Sequence, residues 1–382
     1  METIPRHGII ARHVAATLVI AAMAVSISGC GSIQDWRDEN KGIQIGSLKA
    51  PAGYRVAVLA SNMPKARHMA MGTDGTLFVG SMAGNVYALT MSGGAVTQQR
   101  TVIKGLTDPS GVAFHEGALF VANRTNILRY DKIEQRLNDP GVPLTVIDGL
   151  PDKKRHDAHA MGIGPDGKLY VAVGSPCDTC EPKNDEYGTI IRSNTDGSAR
   201  EVVARGIRNS VGFDWHPQTR ELWFTENGGD ALGLESPNDE LNRVSKLGEH
   251  FGFPYCHDGK IADPEFGAKR ACSEFTAPAF GLGAHTAALG MRFEPATPDK
   301  SDATMLIARH GSHPPIRVGY DVVRVIAPNG KPSQMEPFLT GFLQGKSYWG
   351  RPVDVLIMRD GSVLVSDDLN GAIYRVSRAT DK

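Results

Sequence analysis

The feature that most constrains the fold of this chain is a two-strand pattern that repeats after residue 50. Each copy has an apolar run, a short turn that often contains Asp-Gly, and a second apolar run. Copies occur at residues 69–79, 111–121, 161–171, 211–224 and 354–365, with a looser one ending at Leu306 and Ile307. Asp-Gly between apolar runs is typical of β-hairpins, and we predict type I′ turns, which need positive φ.

The spacing of these hairpins predicts the architecture. Each hairpin is followed by another strand-like segment, such as 84–89 or 372–376. Hairpins that recur about every 40 to 60 residues are typical of β-propeller blades. One interval is wider, and we attribute it to an insertion at residues 228–285. The sequence therefore predicts an all-β, six-bladed β-propeller that residues 46–382 form as one domain.

The overall charge excludes some classes of function. The 382 residues include 41 Lys+Arg and 42 Asp+Glu, for a formal net charge of −1. A near-neutral chain is unlike a strongly basic nucleic-acid binder. We therefore expect no nucleic-acid partner.

The N-terminus has the pattern of an export signal. Arg6 and Arg12 precede an apolar run at residues 14–27, which is shorter than the ~20 residues of a membrane span. The run ends in Ile-Ser-Gly-Cys, which resembles a bacterial lipobox. We predict a lipoprotein signal peptide at 1–29, lipidation of Cys30 and a tether at 30–45. The chain would then be anchored by lipid alone in the bacterial cell envelope, on the periplasmic side of the outer membrane. An ordinary signal peptide with a chance cysteine is the alternative.

Four further cysteines indicate disulfides, because an even number in an exported protein usually forms bridges. We prefer a local bridge between Cys177 and Cys180 and a second between Cys256 and Cys272, although the sequence alone does not fix the pairing. Cys177 and Cys180 could instead form a redox or metal pair. However, there is no second Cys-x-x-Cys, and no histidine follows to attach haem.

Three polar segments are candidates for chemistry. Residues 153–159 carry His156 and His159 immediately before the third hairpin. Residues 206–212 bring Arg208 and Asn209 into an apolar strand, where unpartnered burial would cost ~1–3 kcal/mol for each. The third segment, 225–242, mixes carboxylates with Gly and Asn, which suits the oxygen ligands that Ca²⁺ prefers. Each segment could also be purely structural.

Together these motifs resemble the glucose/sorbosone dehydrogenase family, the soluble pyrroloquinoline-quinone (PQQ) sugar dehydrogenases. The resemblance covers essentially the whole mature chain, and its most specific stretches are 164–171, 206–209, 239–242, 252–256, 310–312 and 350–354. The family fold is a six-bladed propeller. The resemblance implies oxidation of an aldose or related sugar aldehyde to the lactone or acid, with PQQ and Ca²⁺ as cofactors.

The resemblance also implies roles for individual residues near the quinone. His156 matches the catalytic base that takes the proton of the sugar C1 hydroxyl, and a histidine has a pKa of about 6.5 that suits this role. Arg208 matches the arginine that stabilises the developing quinone oxyanion, and Asn209 a hydrogen bond to the cofactor. Arg351 matches a contact to the PQQ carboxylates, and Arg317 is a looser candidate for another.

Two calcium sites are implied in the same way. Gly228 and Gly229 match the positions whose backbone carbonyls hold the cofactor Ca²⁺, which would polarise the quinone. Asp239 and Glu240 match a second, structural Ca²⁺ site.

The chain departs from the family pattern around the expected substrate mouth. Arg155 replaces the acidic residue that precedes the base in glucose-oxidising members, and His159 replaces an arginine common in sorbosone-type members. Residues 313–317 replace the usual Trp-Asn-Arg. These changes leave both the sugar and the retention of PQQ open.

We therefore expect a PQQ- and calcium-dependent sugar dehydrogenase with a small-molecule sugar substrate. The chain has no Cys-x-x-Cys-His, so the electron acceptor, a cytochrome or a quinone, would be a separate partner. Two alternatives remain from other classes. One is a calcium-dependent lactonase, and the other is a non-catalytic envelope propeller that binds sugar or protein.

Overall fold

The regular structure of this protein is almost entirely β-strand. A computed structural model describes residues 42–152, 155–295, 302–313 and 315–379. Within these ranges the helical segments are short 3-10 turns, at Ile45–Ser47, Ile133–Gln135, Cys272–Glu274 and Pro328–Gly330. None of the described segments forms a helix long and apolar enough to cross a membrane. The predicted signal peptide and Cys30 lie outside the described residues.

The strands form six main sheets, which we number as blades in chain order. Strand β1 (Tyr54–Ala60) comes first. Blade 1 consists of β2 (Ala66–Met71), β3 (Thr76–Ser81), β4 (Asn85–Ser92) and β5 (Ala95–Lys104). Blade 2 consists of β6 (Val112–His115), β7 (Ala118–Asn123), β8 (Asn126–Tyr130) and β9 (Leu144–Ile147). Blade 3 consists of β10 (Met161–Ile163), β11 (Leu169–Val173), β12 (Thr189–Ser193) and β13 (Glu201–Arg205).

The second half of the chain repeats this order with one long excursion. Blade 4 begins with β14 (Gly212–Trp215), β15 (Leu222–Glu226) and β16 (Asn238–Val244). The short strands β17 (Glu249–His250), β18 (Cys256–His257) and β19 (Ile261–Ala262) follow before β20 (Phe280–Ala284) completes the blade. Blade 5 consists of β21 (Ala288–Phe293), β22 (Ala303–Arg309), β23 (Asp321–Ala327) and β24 (Gln334–Leu339). After the small hairpin of β25 (Leu343–Gln344) and β26 (Ser347–Tyr348), blade 6 contains β27 (Pro352–Ile357), β28 (Val363–Asp367) and β29 (Ala372–Arg378).

The ring closes through the two ends of the propeller sequence. Strand β1 pairs antiparallel with β29, in the register Tyr54↔Arg378, and so supplies the fourth strand of blade 6. The innermost strands contact one another in chain order, and β27 returns to contact β2. The main-chain N–H of Met69 donates to Asp354 Oδ2 at 2.9 Å across this last junction. The predicted six-bladed propeller is confirmed.

The hydrophobic core is divided among the blade junctions. In the described residues, each pair of neighbouring blades encloses its own buried cluster, such as Leu77, Val79, Leu364 and Ile373 between blades 1 and 6. The second strand of each blade is covered on both faces by the neighbouring blades. Strands β3, β11 and β28 are buried at every position. Strands buried on both faces read as continuous apolar runs. This is why the sequence repeats were visible.

The hairpin turns match the predicted type between β6 and β7 but not at the Asp-Gly turns. In the turn between β10 and β11, Gly167 has φ +74° and its N–H donates to Gly164 O at 2.9 Å. The turn before β28 is similar, with Gly361 at φ +76°. A type I′ turn needs positive φ at both central residues, but neither preceding aspartate is left-handed. The prediction of type I′ turns is therefore wrong for these two Asp-Gly turns, whose loops are longer than two residues and have positive φ only at the glycine. It is confirmed between β6 and β7, where Glu116 (φ +47°) and Gly117 (φ +78°) form a two-residue loop.

The insertion predicted at residues 228–285 is shorter than expected. Strands β16 and β20 lie within that range and belong to blade 4, where β16 pairs with both β15 and β20. The excursion itself runs from 245 to 279, and its strand β17 adds to the edge of blade 3 in parallel with β13. The predicted disulfides are confirmed, with Cα–Cα distances of 6.1 Å for Cys177–Cys180 and 5.3 Å for Cys256–Cys272. The Cys256–Cys272 bridge cross-links two positions within the excursion.

Candidate functional site

The polar segments predicted from sequence gather at one end of the propeller channel. Every blade is built in the same strand order, so the loops before the innermost strands lie at one end. The loops after the second strands lie at that same end, because the two strands are antiparallel. His156, Arg208 and Arg351 precede β10, β14 and β27 respectively, which places all three at this mouth.

His156 is held in a defined orientation at the mouth. The residue is half-buried with φ +55°, and its Nδ1 lies 2.9 Å from the carbonyl oxygen of Ser175, just after β11. A carbonyl can only accept, so Nδ1 carries the proton. A Cβ on neighbouring Gly174 would lie 2.7 Å from His156 Cβ. Only glycine therefore allows this close approach.

Arg208 is buried and surrounded by oxygen atoms. Its main-chain N–H donates to Glu226 Oε1 at 2.5 Å, which fixes the loop before β14. In the side chain, Nε donates to Asp178 O at 3.0 Å and Nη1 to Asn227 O at 3.2 Å. Nη2 contacts the carboxylates of Asp178 and Asp230. The guanidinium is thus paired with two carboxylates at the mouth.

Asn209 presents an unsatisfied acceptor beside the histidine. Its Nδ2 donates to Asn227 Oδ1 at 3.2 Å, while its own Oδ1 is buried with no hydrogen-bond partner among the described residues. A Cβ on Gly174 would lie 3.0 Å from this Oδ1. A buried acceptor without a partner costs about 1–3 kcal/mol, which favours a ligand that donates to it.

Arg351 belongs to a second polar cluster at the same end of the channel. Its Nη2 donates to Gly311 O at 2.7 Å, and its guanidinium lies 5.8 Å from the Tyr320 ring centroid. The adjacent His310 contacts Asp368 Oδ1 through Nε2 at 2.9 Å. Burial, followed by the charge of Arg351, lowers the pKa of His310 to about 4. His310 is therefore neutral at pH 7 and donates to the carboxylate.

Arg67 and Asp368 are site residues that the sequence analysis missed. Arg67 Nη1 donates to Asp368 Oδ2 at 2.9 Å, and both side chains are about nine-tenths buried. The pKa of Asp368 lies below its usual range, because His310, Arg67 and Arg351 outweigh the effect of burial. A signal was available: Arg67 lies two residues before the sequence repeat at 69–79, much as Arg208 lies three residues before the repeat at 211–224.

Arg317 and Arg351 are brought together by one tyrosine. The two guanidinium groups lie 5.5 and 5.6 Å from the Tyr348 ring centroid. Arg317 also donates through Nε to Lys346 O at 3.1 Å. His313 in the same loop is exposed. The loosely assigned Arg317 thus lies beside Arg351, at the edge of the second cluster.

His159 has a different environment from His156. It is 1 % exposed, with Nδ1 2.8 Å from Ala172 O and Nε2 3.0 Å from Arg124 O. Arg124 belongs to blade 2 and Ala172 to blade 3. His159 therefore ties two blades together, whereas His156 faces the mouth.

The two predicted ligands of the structural calcium site point to different partners. Asp239 accepts from Gly228 N at 2.9 Å and from Thr286 Oγ1 at 2.9 Å. Glu240 instead lies opposite Glu226 in the β15–β16 register, and Asn242 Nδ2 bridges the two glutamates at 3.1 and 3.0 Å. Asn242 therefore links Glu240 to Glu226, while Asp239 is bonded to Gly228 and Thr286. The charge of Asp239 acts on both glutamates.

This glutamate pair is electrostatically unfavourable without a cation or proton. Burial raises the pKa of Glu240 to about 7. Burial and the charge of Glu240 together raise the pKa of Glu226 well above its usual range. Asn242 Oδ1 is buried with no partner among the described residues. Two carboxylates and an amide oxygen are hard ligands that suit Ca²⁺, and the Asn242 amide would have to turn its Oδ1 toward the carboxylates in place of Nδ2 to act as one.

The residues at the mouth fit both implied cofactors. PQQ offers carboxylate and quinone oxygens as acceptors and a pyrrole N–H as donor, which match the unpartnered Arg67 Nε and Asn209 Oδ1. In the described part of the chain no three His, Cys, Asp or Glu side chains converge as a metal site. A calcium ion would therefore combine carboxylates with amide or backbone oxygens, as the Glu226–Glu240 pair with Asn242 allows.

The fold and these side chains define a class of protein, the six-bladed propellers related to soluble quinoprotein sugar dehydrogenases. The TrAA12-like family model matches residues 48–266, and the chain belongs to that family. An uncharacterized protein of Borreliella burgdorferi is 31% identical over 348 residues, covering 86% of this chain and 90% of the relative.

Two solved structures share the fold. A calcium structure of a Trichoderma reesei protein of Carbohydrate-Active Enzymes Family AA12 has a TM-score of 0.77 at 21% identity, covering 89% of this chain and 99% of the other. The holo form of the pyranose dehydrogenase PQQ domain from Coprinopsis cinerea has a TM-score of 0.75 at 19% identity, covering 87% and 97%. The resemblance inferred from the sequence is confirmed at the level of family and fold.

Proposed function

We propose that this protein is a PQQ- and calcium-dependent dehydrogenase that oxidises an aldose or related sugar aldehyde to the lactone or acid. The observation that carries the proposal is the mouth itself, where an oriented His156 lies beside an unsatisfied Asn209 and a paired Arg208. The names of the related proteins, PQQ-dependent sugar and pyranose dehydrogenases, support the same chemistry.

His156 would act as the general base. Because Nδ1 donates to Ser175 O, the neutral ring carries its lone pair on Nε2. Nε2 would accept the proton of the sugar C1 hydroxyl as hydride leaves C1. PQQ supplies the acceptor for that hydride when bound. The hydrogen bond to the Ser175 carbonyl keeps the proton on Nδ1, so no carboxylate is needed to fix this tautomer.

The arginines and Asn209 would hold and polarise the cofactor. Arg208 is suited to a delocalised negative charge on the quinone oxygens, and Asn209 to a donor on the cofactor. Arg351, together with Arg67, would contact carboxylates, and Arg317 would add charge at the edge. Gly228 and Gly229 would offer backbone carbonyls to the cofactor Ca²⁺, and Glu240 with Glu226 would hold the second ion.

A PQQ titration of the calcium-loaded apoprotein tests the proposal. We expect a saturable absorbance change at about one PQQ per chain, and then reduction of an artificial dye with at least one aldose or sugar aldehyde. Binding without turnover across a broad sugar panel would favour the non-catalytic propeller. Lactone hydrolysis without PQQ would favour the lactonase, and no spectral change would remove the quinoprotein proposal.

We also propose that the protein is exported and lipid-anchored through Cys30, and that it passes electrons to a separate cytochrome or quinone. The support is the charged, apolar and Gly-Cys sequence of the first thirty residues. Cells that express the chain should incorporate labelled palmitate into it, and Cys30→Ala should abolish the label. Equal labelling of the Cys30→Ala variant would contradict the anchor.

A further inference from the structure

The loop between β11 and β12 carries a small disulfide ring over the candidate site. Cys177 and Cys180 are bridged, and Asp178 lies between them. The loop begins at Ser175, whose carbonyl orients His156 and whose N–H donates to Arg208 O at 2.7 Å. The disulfide loop, residues 175–181, is therefore bonded to both residues assigned to the chemistry.

The outer end of the disulfide loop is tied to the blade 4 excursion. Tyr255 donates its hydroxyl to Glu181 Oε1 at 2.9 Å, and Lys269 pairs with Glu181 Oε2 at 2.5 Å. Tyr255 precedes Cys256, so the Cys256–Cys272 disulfide cross-links the part of the excursion that contacts the disulfide loop. With both ends attached and its centre bridged, the loop has little freedom to move Asp178.

Asp178 is the main partner of Arg208. Its backbone oxygen accepts from Nε at 3.0 Å, and its carboxylate accepts from Nη2. Burial alone would raise the pKa of Asp178, but the hydrogen bond and charge of Arg208, with Arg155, hold that pKa below its usual range. All three guanidinium nitrogens already donate to protein oxygens. A cofactor oxygen must therefore share or replace these partners.

A second aspartate offers a natural comparison. Asp230 contacts the same two arginines, Arg208 at 3.3 Å and Arg155 at 3.2 Å. However, the Asp230 side chain is 66% exposed, against 25% for Asp178. Charge near the mouth is thus similar for the two residues, but only Asp178 is built into a bridged loop. An ion pair with an exposed carboxylate contributes little to holding its partner in place, because solvent screens the charges.

We propose that Asp178 is a positioning residue for Arg208, and that the Cys177–Cys180 disulfide holds it in place. This inference rests on the proposed function, because it assumes that Arg208 contacts the quinone oxygens. Asp178 orients the guanidinium and partly neutralises its charge. It therefore lowers the affinity for the resting anionic cofactor while keeping Arg208 aligned for the charge that develops during reaction.

The test compares PQQ affinity with turnover in matched variants. Asp178→Asn should bind PQQ about tenfold more tightly, because Arg208 is less neutralised, and should lower kcat about tenfold or more, because the guanidinium is less well oriented. Asp178→Glu, which restores the carboxylate, should recover most of the wild-type dissociation constant. Asp230→Asn should shift both quantities in the same directions but several-fold less, because its carboxylate is 66% exposed and screened by solvent. The Cys177→Ser/Cys180→Ser double variant should shift both in the same directions as Asp178→Asn, by less.

The outcomes separate this inference from the proposed function. If the wild-type protein binds no PQQ, the proposed function itself fails. If it does bind, an Asp178→Asn variant with wild-type affinity and kcat, or with weaker binding, overturns the positioning role. Equal effects of Asp178→Asn and Asp230→Asn would also overturn it, since they would reflect only net charge. Unchanged circular dichroism and melting temperature show that each variant is folded.

Discussion

Replacing His156 with alanine is expected to lower kcat by about 10²–10⁴-fold, the contribution typical of a positioned general base. The dissociation constant for PQQ should stay within a few-fold of wild type, because Arg208, Asn209 and Arg351 remain in place. The half-buried side chain makes its hydrogen bond to a loop carbonyl rather than to the blade core. The fold should therefore tolerate its loss. Steady-state dye reduction and PQQ titration on the same preparations measure the two quantities.

The His156→Asn variant distinguishes the role of His156 as a base from its role as a hydrogen-bond donor to Ser175. An asparagine amide can still donate to Ser175 O but has no basic nitrogen, so this variant should be as inactive as His156→Ala. His115, at the far end of β6 from the mouth, is the control, and His115→Ala should retain full turnover. Recovery of more than a tenth of the activity in His156→Asn would contradict the base assignment.

The blades could be predicted from sequence because their determinants are local. A largely buried apolar run recurs in the second strand of every blade, and a turn glycine with positive φ follows the innermost strand in blades 1, 2, 3 and 6. The excursion was predicted too long, because β16 begins with the polar residues Asn238, Asp239 and Glu240 and β20 contains two glycines among its five residues. Neither segment has the apolar run of a typical strand, so the sequence alone did not reveal these two strands of blade 4.

The candidate site could be predicted only in part, because some of its side-chain contacts depend on how the ring closes and on strand register. His156, Arg208 and Arg351 stand next to recognisable hairpins, and the structure places them at one mouth. Arg67 and Asp368 are 301 residues apart and meet only because β27 packs against β2 when β1 joins blade 6. Likewise, the sequence could not show that Glu240 faces Glu226, since that depends on the β15–β16 register.

The Glu226–Glu240 pair should make the stability of the metal-free protein fall as pH rises. The folded-state pKa of Glu240 is about 7 against an ordinary value of 4.5, so the folded protein holds a proton that the unfolded chain has released. This stability is fully present below pH 4.5 and is lost as pH rises through 7. A shift of this size corresponds to about 3 kcal/mol of unfolding free energy for Glu240 alone. Denaturant unfolding in EDTA from pH 5 to 8 measures the loss.

Calcium should reverse this loss at pH 8, because a cation between the carboxylates replaces the missing proton. An ion present at 100 times its dissociation constant adds about 2.7 kcal/mol. Glu240→Gln removes one charge, so it should flatten the pH dependence in EDTA and abolish most of the calcium response. Glu249→Gln is the control, since that buried glutamate contacts Ser245 rather than a second carboxylate, and it should keep the response. A wild-type protein equally stable in EDTA and calcium at pH 8 would show that these two glutamates hold no ion. Their repulsion would then have to be relieved by a retained proton, and stability in EDTA would still fall as pH rises from 4.5 through 7.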